Sequence, residues 1–175
     1  GHIYIQKAIE QGATALIVEK DVLVPQNITT IRVSNSRKAL AKISANFYNN
    51  PTPKLKVIGI TGTNGKTTVT HLLQNIFEVN GVQCGLIGTI ACSILGKQYP
   101  INNTTPESLE LQSIFRKMLD QNVNVCVMEV SSHALEMGRV EEIEYQIGVF
   151  TNLTNEHLDF HKTIEAYFLA KAHLF

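Results

Sequence analysis

The chain has 175 residues, of which 44% are hydrophobic and 17% charged, so it can bury a packed core and is not an intrinsically disordered protein. Its formal net charge is zero, which argues against nucleic acid or an anionic membrane as the main partner. No apolar run is long enough for membrane insertion, and three widely spaced cysteines indicate reduced thiols in a cytoplasmic protein.

The first fifty residues predict a small α/β unit with little core of its own. Gly12 is a typical helix stop, and Ser34 or Ser36 is a candidate helix cap. The prolines and asparagines that follow predict a domain hinge over residues 51–53. The predicted elements of this unit are a helix through Ile3 to Ile9, strands over 15–18 and 29–33, and a helix through Ala39 to Phe47.

The stretch 57–68, VIGITGTNGKTT, combines a strand, a glycine turn and a helix start, which is the context of a phosphate-binding loop. Its glycines let the backbone approach an anion, and the helix N-terminus adds partial positive charge. Lys66 would then reach the β- and γ-phosphates of a nucleotide, and the Thr67 hydroxyl would ligate Mg²⁺. Ile60 stands where the usual pattern has its first glycine, so an ordinary glycine-rich turn with a solvated lysine is the alternative.

The rest of the chain alternates strands with helices and predicts an α/β fold with a P-loop-containing, doubly wound and mostly parallel sheet. The nearly continuous apolar run over 123–130 is typical of a central parallel strand. Ligands of such a sheet bind at the carboxyl ends of its strands. The predicted elements are a helix from Val69 to Gly81, a strand over 83–90, a hairpin over 92–101, a helix starting at Thr105-Pro106, the strand over 123–130, a short helix from Ser131 to Gly138, a strand over 147–150 and a last helix from Thr163.

Polar residues follow several of these strands. Glu129 ends the apolar run, where a carboxylate is costly unless it is paired or bound to a metal. We interpret it as a Mg²⁺ ligand in preference to a buried Glu held by Ser or backbone N–H groups. The polar loop 151–159 holds several more possible ligands. His133, His157 and His161 each fit a metal ligand, a general base or a surface histidine, and their spacing does not choose among these roles.

Two further features have a simple and a functional interpretation. The loop 102–107, NNTTPE, leads into a predicted helix N-terminus, where it would either cap the helix or bind a substrate anion. Glu107 suits the positive end of that helix. Lys171, in the last predicted helix, has the pattern of an ordinary solvated lysine.

Five motifs, taken in their order along the chain, resemble those of the Mur ligases. They are Gly62-Thr-Asn-Gly-Lys-Thr-Thr68, Asn103-Thr-Thr-Pro-Glu107, Glu129-Val-Ser-Ser-His-Ala-Leu135, Phe150-Thr-Asn-Leu-Thr154 with His157-Leu-Asp159, and Ala170-Lys171. Folylpolyglutamate and cyanophycin synthetases share the first motif, whereas the second and third are more specific. The resemblance covers essentially the whole chain and is strongest to the members that add the third amino acid of the peptidoglycan stem peptide.

The resemblance implies a protein of three domains. Residues 1–50 resemble the latter part of a UDP-binding N-terminal domain, and residues 54–175 the first half of a central ATP-binding domain. The chain begins Gly-His and stops within a helical pattern, which leads us to expect a fragment of a longer protein. We expect residues 1–175 alone to be inactive, and the residues that select the amino acid to lie outside them.

The implied activity is an ATP-dependent, ADP-forming ligation in peptidoglycan biosynthesis. ATP would phosphorylate the D-Glu carboxylate of UDP-N-acetylmuramoyl-L-Ala-D-Glu, and the amine of an incoming amino acid would attack the acyl phosphate. The sequence leaves meso-diaminopimelate and L-lysine open as that amino acid, and it leaves the oligomeric state open. The competing functions are another Mur-type amide ligase, a P-loop switch or transport ATPase, and a non-catalytic nucleotide-binding module.

The resemblance also assigns residues, motif by motif. Lys66, His157 and a carbamylated Lys171 carry the implied catalytic roles. Met137 departs from the family, which often has Gln there for a substrate hydrogen bond. The implied ATP-binding residues are Gly62, Thr63, Asn64, Gly65, Lys66, Thr67 and Thr68; the implied Mg²⁺ ligands are Thr67, Glu129 and His157; the implied contacts to the UDP-linked substrate are Asn103, Thr104, Thr105, Ser131 and Arg139.

Overall fold

A computed structural model describes all 175 residues. The N-terminal unit consists of a 3-10 turn at His2–Tyr4, α1 (Ile5–Glu10), β1 (Ala15–Val18), β2 (Thr29–Arg32) and α2 (Ser36–Phe47). Strands β1 and β2 form a parallel two-stranded sheet. Val18 is the one buried residue of the two strands, so this small unit has little core of its own.

Helix α2 is capped by a residue that the sequence analysis did not choose. The Asn35 side chain accepts hydrogen bonds from the backbone N–H groups of Arg37 and Lys38, at 2.9 and 3.0 Å. The predicted cap at Ser34 or Ser36 is therefore wrong. Ser36 has another partner, because its backbone N–H and hydroxyl both donate to the Glu19 carboxylate at 2.7 Å.

The segment between the two units is packed and not extended. Thr52–Lys54 forms a 3-10 turn, and Pro51 and Thr52 are buried. The Thr52 hydroxyl accepts a hydrogen bond from the backbone N–H of Glu144 at 3.2 Å, which fixes the segment against the second unit. The domain boundary at 51–53 stays a prediction.

The second unit is built on a six-stranded sheet with the strand order β6-β5-β4-β7-β3-β8. Its strands are β3 (Lys56–Thr61), β4 (Cys84–Ile87), β5 (Cys92–Ile94), β6 (Lys97–Tyr99), β7 (Val125–Glu129) and β8 (Tyr145–Phe150). The four strands β4, β7, β3 and β8 are parallel, and β5 and β6 add an antiparallel hairpin. The predicted α/β fold with a mostly parallel sheet is confirmed.

Helices cover both faces of this sheet. They are α3 (Lys66–Val79), α4 (Ser108–Asp120), α5 (Ser132–Glu136), α6 (Leu158–His161) and α7 (Ile164–Ala172). Along β3, Val57 packs into one apolar cluster and Ile58 and Ile60 into another, because alternate residues of a strand point to opposite faces. Helix α4 belongs to the first cluster and α3 packs against the second, which makes the sheet doubly wound. None of the helices combines the length and apolar character that crossing a membrane requires.

Two predicted elements near the carboxyl ends of the strands have wrong boundaries, and one short helix was not predicted. Strand β4 ends at Ile87 and not at residue 90, which leaves Thr89 outside the sheet. Helix α4 starts at Ser108, so Pro106 precedes it, because the buried Thr105 hydroxyl donates to the Glu129 carbonyl and holds this stretch against β7. The short helix α6 follows His157, whose φ of 56° marks a turn that the apolar pattern did not indicate.

Candidate active site

A polar cleft of about 400 Å³ opens at the carboxyl ends of β3, β4 and β7, where a parallel sheet binds its ligands. No hydrophobic side chain lines it. The cleft brings together most of the site residues that the sequence singled out. Its lining consists of Thr63, Asn64, Gly65, Lys66, Thr67, Thr68, Thr89, Thr104, Glu129, Ser131 and His157.

The loop between β3 and α3 needs both of its glycines. Gly65 is the N-cap of α3 with a φ of 84°, a conformation that side chains of L-residues rarely adopt. Gly62 has a φ of 138°, and a Cβ atom there would collide with the Thr151 hydroxyl. The loop therefore delivers the backbone N–H groups at the start of α3 directly to the cleft, as an anion site requires.

The segment after β8 holds this loop in place. The backbone N–H of Thr63 donates to the Asn152 carbonyl at 2.9 Å. The Asn152 side-chain amide pairs with the backbone of Asn64, accepting from its N–H and donating to its C=O, both at 3.0 Å. Thr151 adds a third contact, because its hydroxyl donates to the Asn64 carbonyl at 2.7 Å. The loop is thus shaped by the protein before any ligand binds.

Lys66 is folded back over its own loop. Its Nζ donates to the carbonyl oxygens of Gly62 and Thr63, both at 2.8 Å. Burial lowers the pKa of Lys66, and the carboxylates of Glu129 and Glu156 oppose this shift. An entering phosphate would compete with the two carbonyls for the ammonium group.

Glu129 is almost fully buried and surrounded by donors. The Thr67 hydroxyl lies 3.0 Å from both carboxylate oxygens. The backbone N–H and hydroxyl of Thr89 donate to Oε1 and Oε2 at 2.8 and 3.1 Å. A Cβ atom at Gly88 would collide with Oε1, so a glycine is needed for this close approach. The buried carboxylate is satisfied, and it stands beside the hydroxyl of the residue predicted to share a metal with it.

The loop before α4 contacts Thr89 and the backbone of Glu129. Thr104 and Thr89 share a hydrogen bond between their hydroxyls at 3.1 Å. The Thr105 hydroxyl donates to the Glu129 carbonyl at 2.9 Å and accepts from the backbone N–H of Ser131 at 3.0 Å. Three of the predicted substrate contacts therefore surround Glu129. Asn103, a fourth, is exposed and does not line the cleft.

Arg139, the fifth predicted substrate contact, lies beside this loop and does not line the cleft. Its Nη1 donates to the Thr105 carbonyl at 3.1 Å, and its Nε lies 2.8 Å from Glu107 Oε1 in an ion pair. Met137 is part of the same cluster, because its sulfur lies 3.6 Å from Arg139 Nη2. The residue that departs from the family pattern thus contacts the arginine side chain.

Lys171 is not a solvated lysine. Its side chain is buried, its Nζ donates to the Gly62 carbonyl at 2.9 Å, and it lies 4.4 Å from the centre of the Tyr167 ring. Burial, with a smaller contribution from the nearby Lys66 charge, lowers the pKa of Lys171 to about 8. Lys66 and Lys171 thus place two amines against one carbonyl of the phosphate-binding loop.

The three histidines are neighbours in the structure but have different surroundings. His157 is exposed and lines the cleft, with its ring centre 4.9 Å from that of His133. His161 is buried and its Nε2 shares a 2.9 Å hydrogen bond with the Ser132 hydroxyl. Burial lowers the pKa values of His133 and His161. No three His, Cys, Asp or Glu side chains in the structure are grouped as a metal site.

Sequence reasoning missed three residues that support the site. Thr89 was assigned to a strand, although its position just after β4 follows the same carboxyl-end rule as Glu129. Asn152 was part of a polar loop with no stated role. Tyr167 lies in the predicted last helix and had no stated role, whereas its hydroxyl shares a 3.2 Å hydrogen bond with the Thr63 hydroxyl. No local pattern distinguishes such a tyrosine from a core residue.

A larger hollow of about 500 Å³ lies elsewhere, between the end of α2, the β5–β6 hairpin and α4. Its lining is more apolar and includes Tyr48, Tyr99 and Ile114. It contains none of the residues of the phosphate-binding loop and none of the predicted site residues, so we assign the chemistry to the smaller polar cleft.

The sequence family described as the Mur ligase middle domain matches residues 60–175. The chain belongs to the Mur ligase family. This Mur ligase chain is 54% identical, over its full length, to the UDP-N-acetylmuramoyl-L-alanyl-D-glutamate–2,6-diaminopimelate ligase of Clostridium perfringens (strain 13 / Type A), of which it covers 36%. It therefore spans about a third of the length of such relatives.

Solved structures agree with this assignment of the Mur ligase chain. A UDP-N-acetylmuramoyl-L-alanyl-D-glutamate–2,6-diaminopimelate ligase superposes with a TM-score of 0.84 at 31% identity, over 98% of this chain and 34% of that one. The MurF ligase of Thermotoga maritima, solved in complex with ADP, superposes with a TM-score of 0.60 at 25% identity, over 99% of this chain and 36% of that one.

Proposed function

We propose that the protein containing this chain is an ATP-dependent ligase that adds diaminopimelate to UDP-N-acetylmuramoyl-L-alanyl-D-glutamate in peptidoglycan biosynthesis. The observation that carries the proposal is the meeting at Glu129 of the phosphate-binding loop, through Thr67, and of the loop before α4, through Thr104 and Thr105. An enzyme that phosphorylates a substrate carboxylate needs its nucleotide loop and its substrate loop at one place.

The residues present fit ATP. The helix N-terminus, the two strained glycines and the Lys66 ammonium form a polar, cationic loop at the cleft. Residues 62–68 are the ones we propose to bind the phosphates. The MurF relative was solved in complex with ADP, which supports the proposal that this chain binds an adenine nucleotide. Lys66 would lower the repulsion between the nucleotide and a carboxylate that approaches it.

The donor set also fits Mg²⁺, which prefers oxygen ligands. The Thr67 hydroxyl and the Glu129 carboxylate are already in contact and line the cleft. His157 lines the same cleft and is our proposed contact to a second metal ion. When bound, Mg²⁺ would neutralise phosphate charge.

We propose that Lys171 is carbamylated. The ammonium first loses a proton; the neutral amine then attacks CO₂, an N–C bond forms as one C=O π bond breaks, and a second proton leaves to solvent, so that the cation becomes a carbamate anion. Because the pKa of Lys171 is lowered to about 8, far more of its amine is neutral at pH 7 than for an exposed lysine. The product anion would lie near Lys66, because both amines contact the Gly62 carbonyl.

The remaining assignments follow from the same proposal. Residues 1–50 would belong to a UDP-binding domain and residues 54–175 to the ATP-binding domain, with Asn103, Ser131 and Arg139 also contacting the UDP-linked substrate. The names of the relatives favour diaminopimelate over L-lysine. The three free thiols and the need for ATP support a cytoplasmic location.

The test is an assay of the full-length protein with ATP, Mg²⁺, UDP-N-acetylmuramoyl-L-Ala-D-Glu and either diaminopimelate or lysine. We expect tripeptide product and phosphate release only when all four are present, with diaminopimelate preferred. Phosphate release without the UDP-linked substrate would favour a switch or transport ATPase. Nucleotide binding with no release under any condition would favour a non-catalytic module.

A further inference from the structure

Glu107 is the last residue of the loop 102–107 before α4, and its carboxylate does not cap that helix. It is the N-cap residue of α4, yet its side chain makes no capping hydrogen bond. Its two oxygens face two arginines instead. Oε1 lies 2.8 Å from Arg139 Nε, and Oε2 lies 3.2 Å from Arg37 Nη1. One carboxylate thus joins residues that are about a hundred positions apart in the sequence.

Arg139 has a different neighbour for each of its three nitrogens. Besides Glu107 at Nε, the Thr105 carbonyl accepts from Nη1 and the Met137 sulfur lies against Nη2. Its side chain is only 13% exposed, and Glu107 is its one anionic neighbour. The Nε–H makes no hydrogen bond, so the ion pair with Glu107 is its only polar contact, and together with the Nη1 bond to the Thr105 carbonyl it sets the orientation of the planar guanidinium. Glu107 supplies the charged part of that restraint.

Arg37 gives Glu107 a connection to the N-terminal unit. Helix α2 makes three ion pairs with the second unit, through Arg37, Lys38 and Lys42. The Lys38 and Lys42 pairs end at two glutamates, Glu141 and Glu142, that contact no proposed site residue. Of the three, the Arg37 pair alone reaches the loop that carries Thr104 and Thr105.

We propose that Glu107 is a positioning residue that orients Arg139 for the UDP-linked substrate and couples that orientation to the N-terminal unit through Arg37. The inference rests on the proposed function, which gives Arg139 its substrate. Loss of the carboxylate leaves the Arg139 guanidinium without an anionic neighbour, so that it no longer has one fixed orientation when substrate arrives. Binding weakens, while the phosphate-binding loop and Lys66, which do not contact Glu107, are unaffected.

The first experiment measures ligation kinetics of the full-length protein carrying Glu107→Gln. We expect KM for UDP-N-acetylmuramoyl-L-Ala-D-Glu to rise about tenfold, with kcat and KM for ATP within about twofold of wild type, as for lost uniform binding. Lys38→Gln is the matched control, because it removes a 2.6 Å ion pair between the same helix and the same unit. It should leave all three constants unchanged.

The second experiment tests the coupling. The Arg37–Glu107 pair is about half exposed, so Arg37→Gln should raise the same KM only about threefold. The double variant should match Glu107→Gln alone, because Arg37 acts through Glu107. Thermal unfolding shows whether Glu107→Gln is folded. If it is not, Arg37→Gln still tests the coupling, because Arg37 is exposed and its substitution leaves the core intact.

Four outcomes overturn the inference. They are an unchanged KM in Glu107→Gln, an unchanged KM in Arg37→Gln, an equal rise in Lys38→Gln, which would mean a general tether, and additive effects in the double variant. If the wild-type protein forms no tripeptide, the proposed function fails and this role fails with it. An active wild type with an unaffected Glu107→Gln variant overturns the positioning role alone.

Discussion

Lys66 lines the polar cleft and is bonded to its own loop, because its Nζ donates to two loop carbonyls. We expect Lys66→Ala in the full-length protein to lower kcat by about two to three orders of magnitude, the usual cost of removing a preorganised charge from a reacting group. Phosphate release measures this, and an unchanged thermal unfolding midpoint is the control. Activity at the wild-type level would exclude this loop as the ATP site.

Glu129 is either a Mg²⁺ ligand or only an acceptor of hydrogen bonds, and the two roles lead to different predictions for Glu129→Gln. A carboxylate that ligates Mg²⁺ loses its charge in Glu129→Gln, whereas the donors from Thr67 and Thr89 can still bond the amide oxygen. We expect the Mg²⁺ concentration for half-maximal activity to rise about tenfold or more. A Mg²⁺ titration of the full-length variant measures it. An unchanged titration would leave Glu129 with a structural role only.

Lys171 illustrates what spacing cannot reveal about a residue. No local pattern in the sequence distinguishes this lysine from an exposed one, yet its side chain is buried and its Nζ bonds the carbonyl of Gly62, more than a hundred residues away. CO₂ adds only to the neutral amine, and below a pKa of about 8 the neutral fraction falls tenfold per pH unit. We therefore expect the activity of CO₂-depleted enzyme to need more added bicarbonate at pH 7 than at pH 8.5.

Lys171→Ala gives the control for that measurement. It should lose most activity at both pH values and gain nothing from bicarbonate, because it has no amine to modify. Wild-type activity in this variant, or the same bicarbonate response, would contradict carbamylation at Lys171.

At the scale of elements, strands and helices were predictable where the apolar pattern is long. The run over 123–130 became β7, and the hairpin predicted over 92–101 became β5 and β6, with Gly96 in the turn between them. The boundaries were not predictable where side chains make distant contacts. The Thr105 hydroxyl bonds the backbone carbonyl of Glu129 in β7, and the helix starts only after it. Thr89 lies outside β4, and its backbone N–H bonds the Glu129 carboxylate. In both cases a tertiary hydrogen bond overrides the local preference.

The segment after β8 carries the prediction at this scale. Asn152 bonds both backbone groups of Asn64, so Asn152→Ala should loosen the phosphate-binding loop. We expect KM for ATP to rise about fivefold and stability to fall by about 1 kcal/mol. Initial rates of the full-length protein and thermal unfolding measure the two effects. Asn155→Ala, an exposed change in the same segment, is the control, and an equal effect there would refute a specific role for Asn152.

At the scale of the whole molecule, the sheet was predictable but its strand order was not. Strands β7 and β8, which precede Glu129 and His157, follow one another along the chain but are not neighbours in the sheet, because β3 lies between them. Local patterns report how each strand is buried, whereas the order depends on the path of the connecting helices. The two residues still line one cleft, because all three strands end at the same edge.

Strand β8 forms one edge of the sheet and carries exposed apolar residues. Ile147 is 52% exposed on the strand, and Phe168 and Phe175 beside it are 46% and 72% exposed. Unpaired strand edges of this kind join other chains. We therefore expect residues 1–175, expressed alone, to self-associate in light scattering and to form no tripeptide with ATP, Mg²⁺, the UDP-linked dipeptide and diaminopimelate.

A lysine substitution tests whether the edge causes the association. Ile147→Lys places a charge on the β8 edge and should shift residues 1–175 towards the monomer, because strand edges that carry lysine pair poorly. Leu23→Lys is the control, since Leu23 is fully exposed but lies outside every strand, and it should change nothing. A monomeric wild-type segment, or equal effects of the two lysines, would contradict association through β8. Tripeptide formed by residues 1–175 would mean that the amino-acid site lies within them, because ligation requires a bound nucleophile.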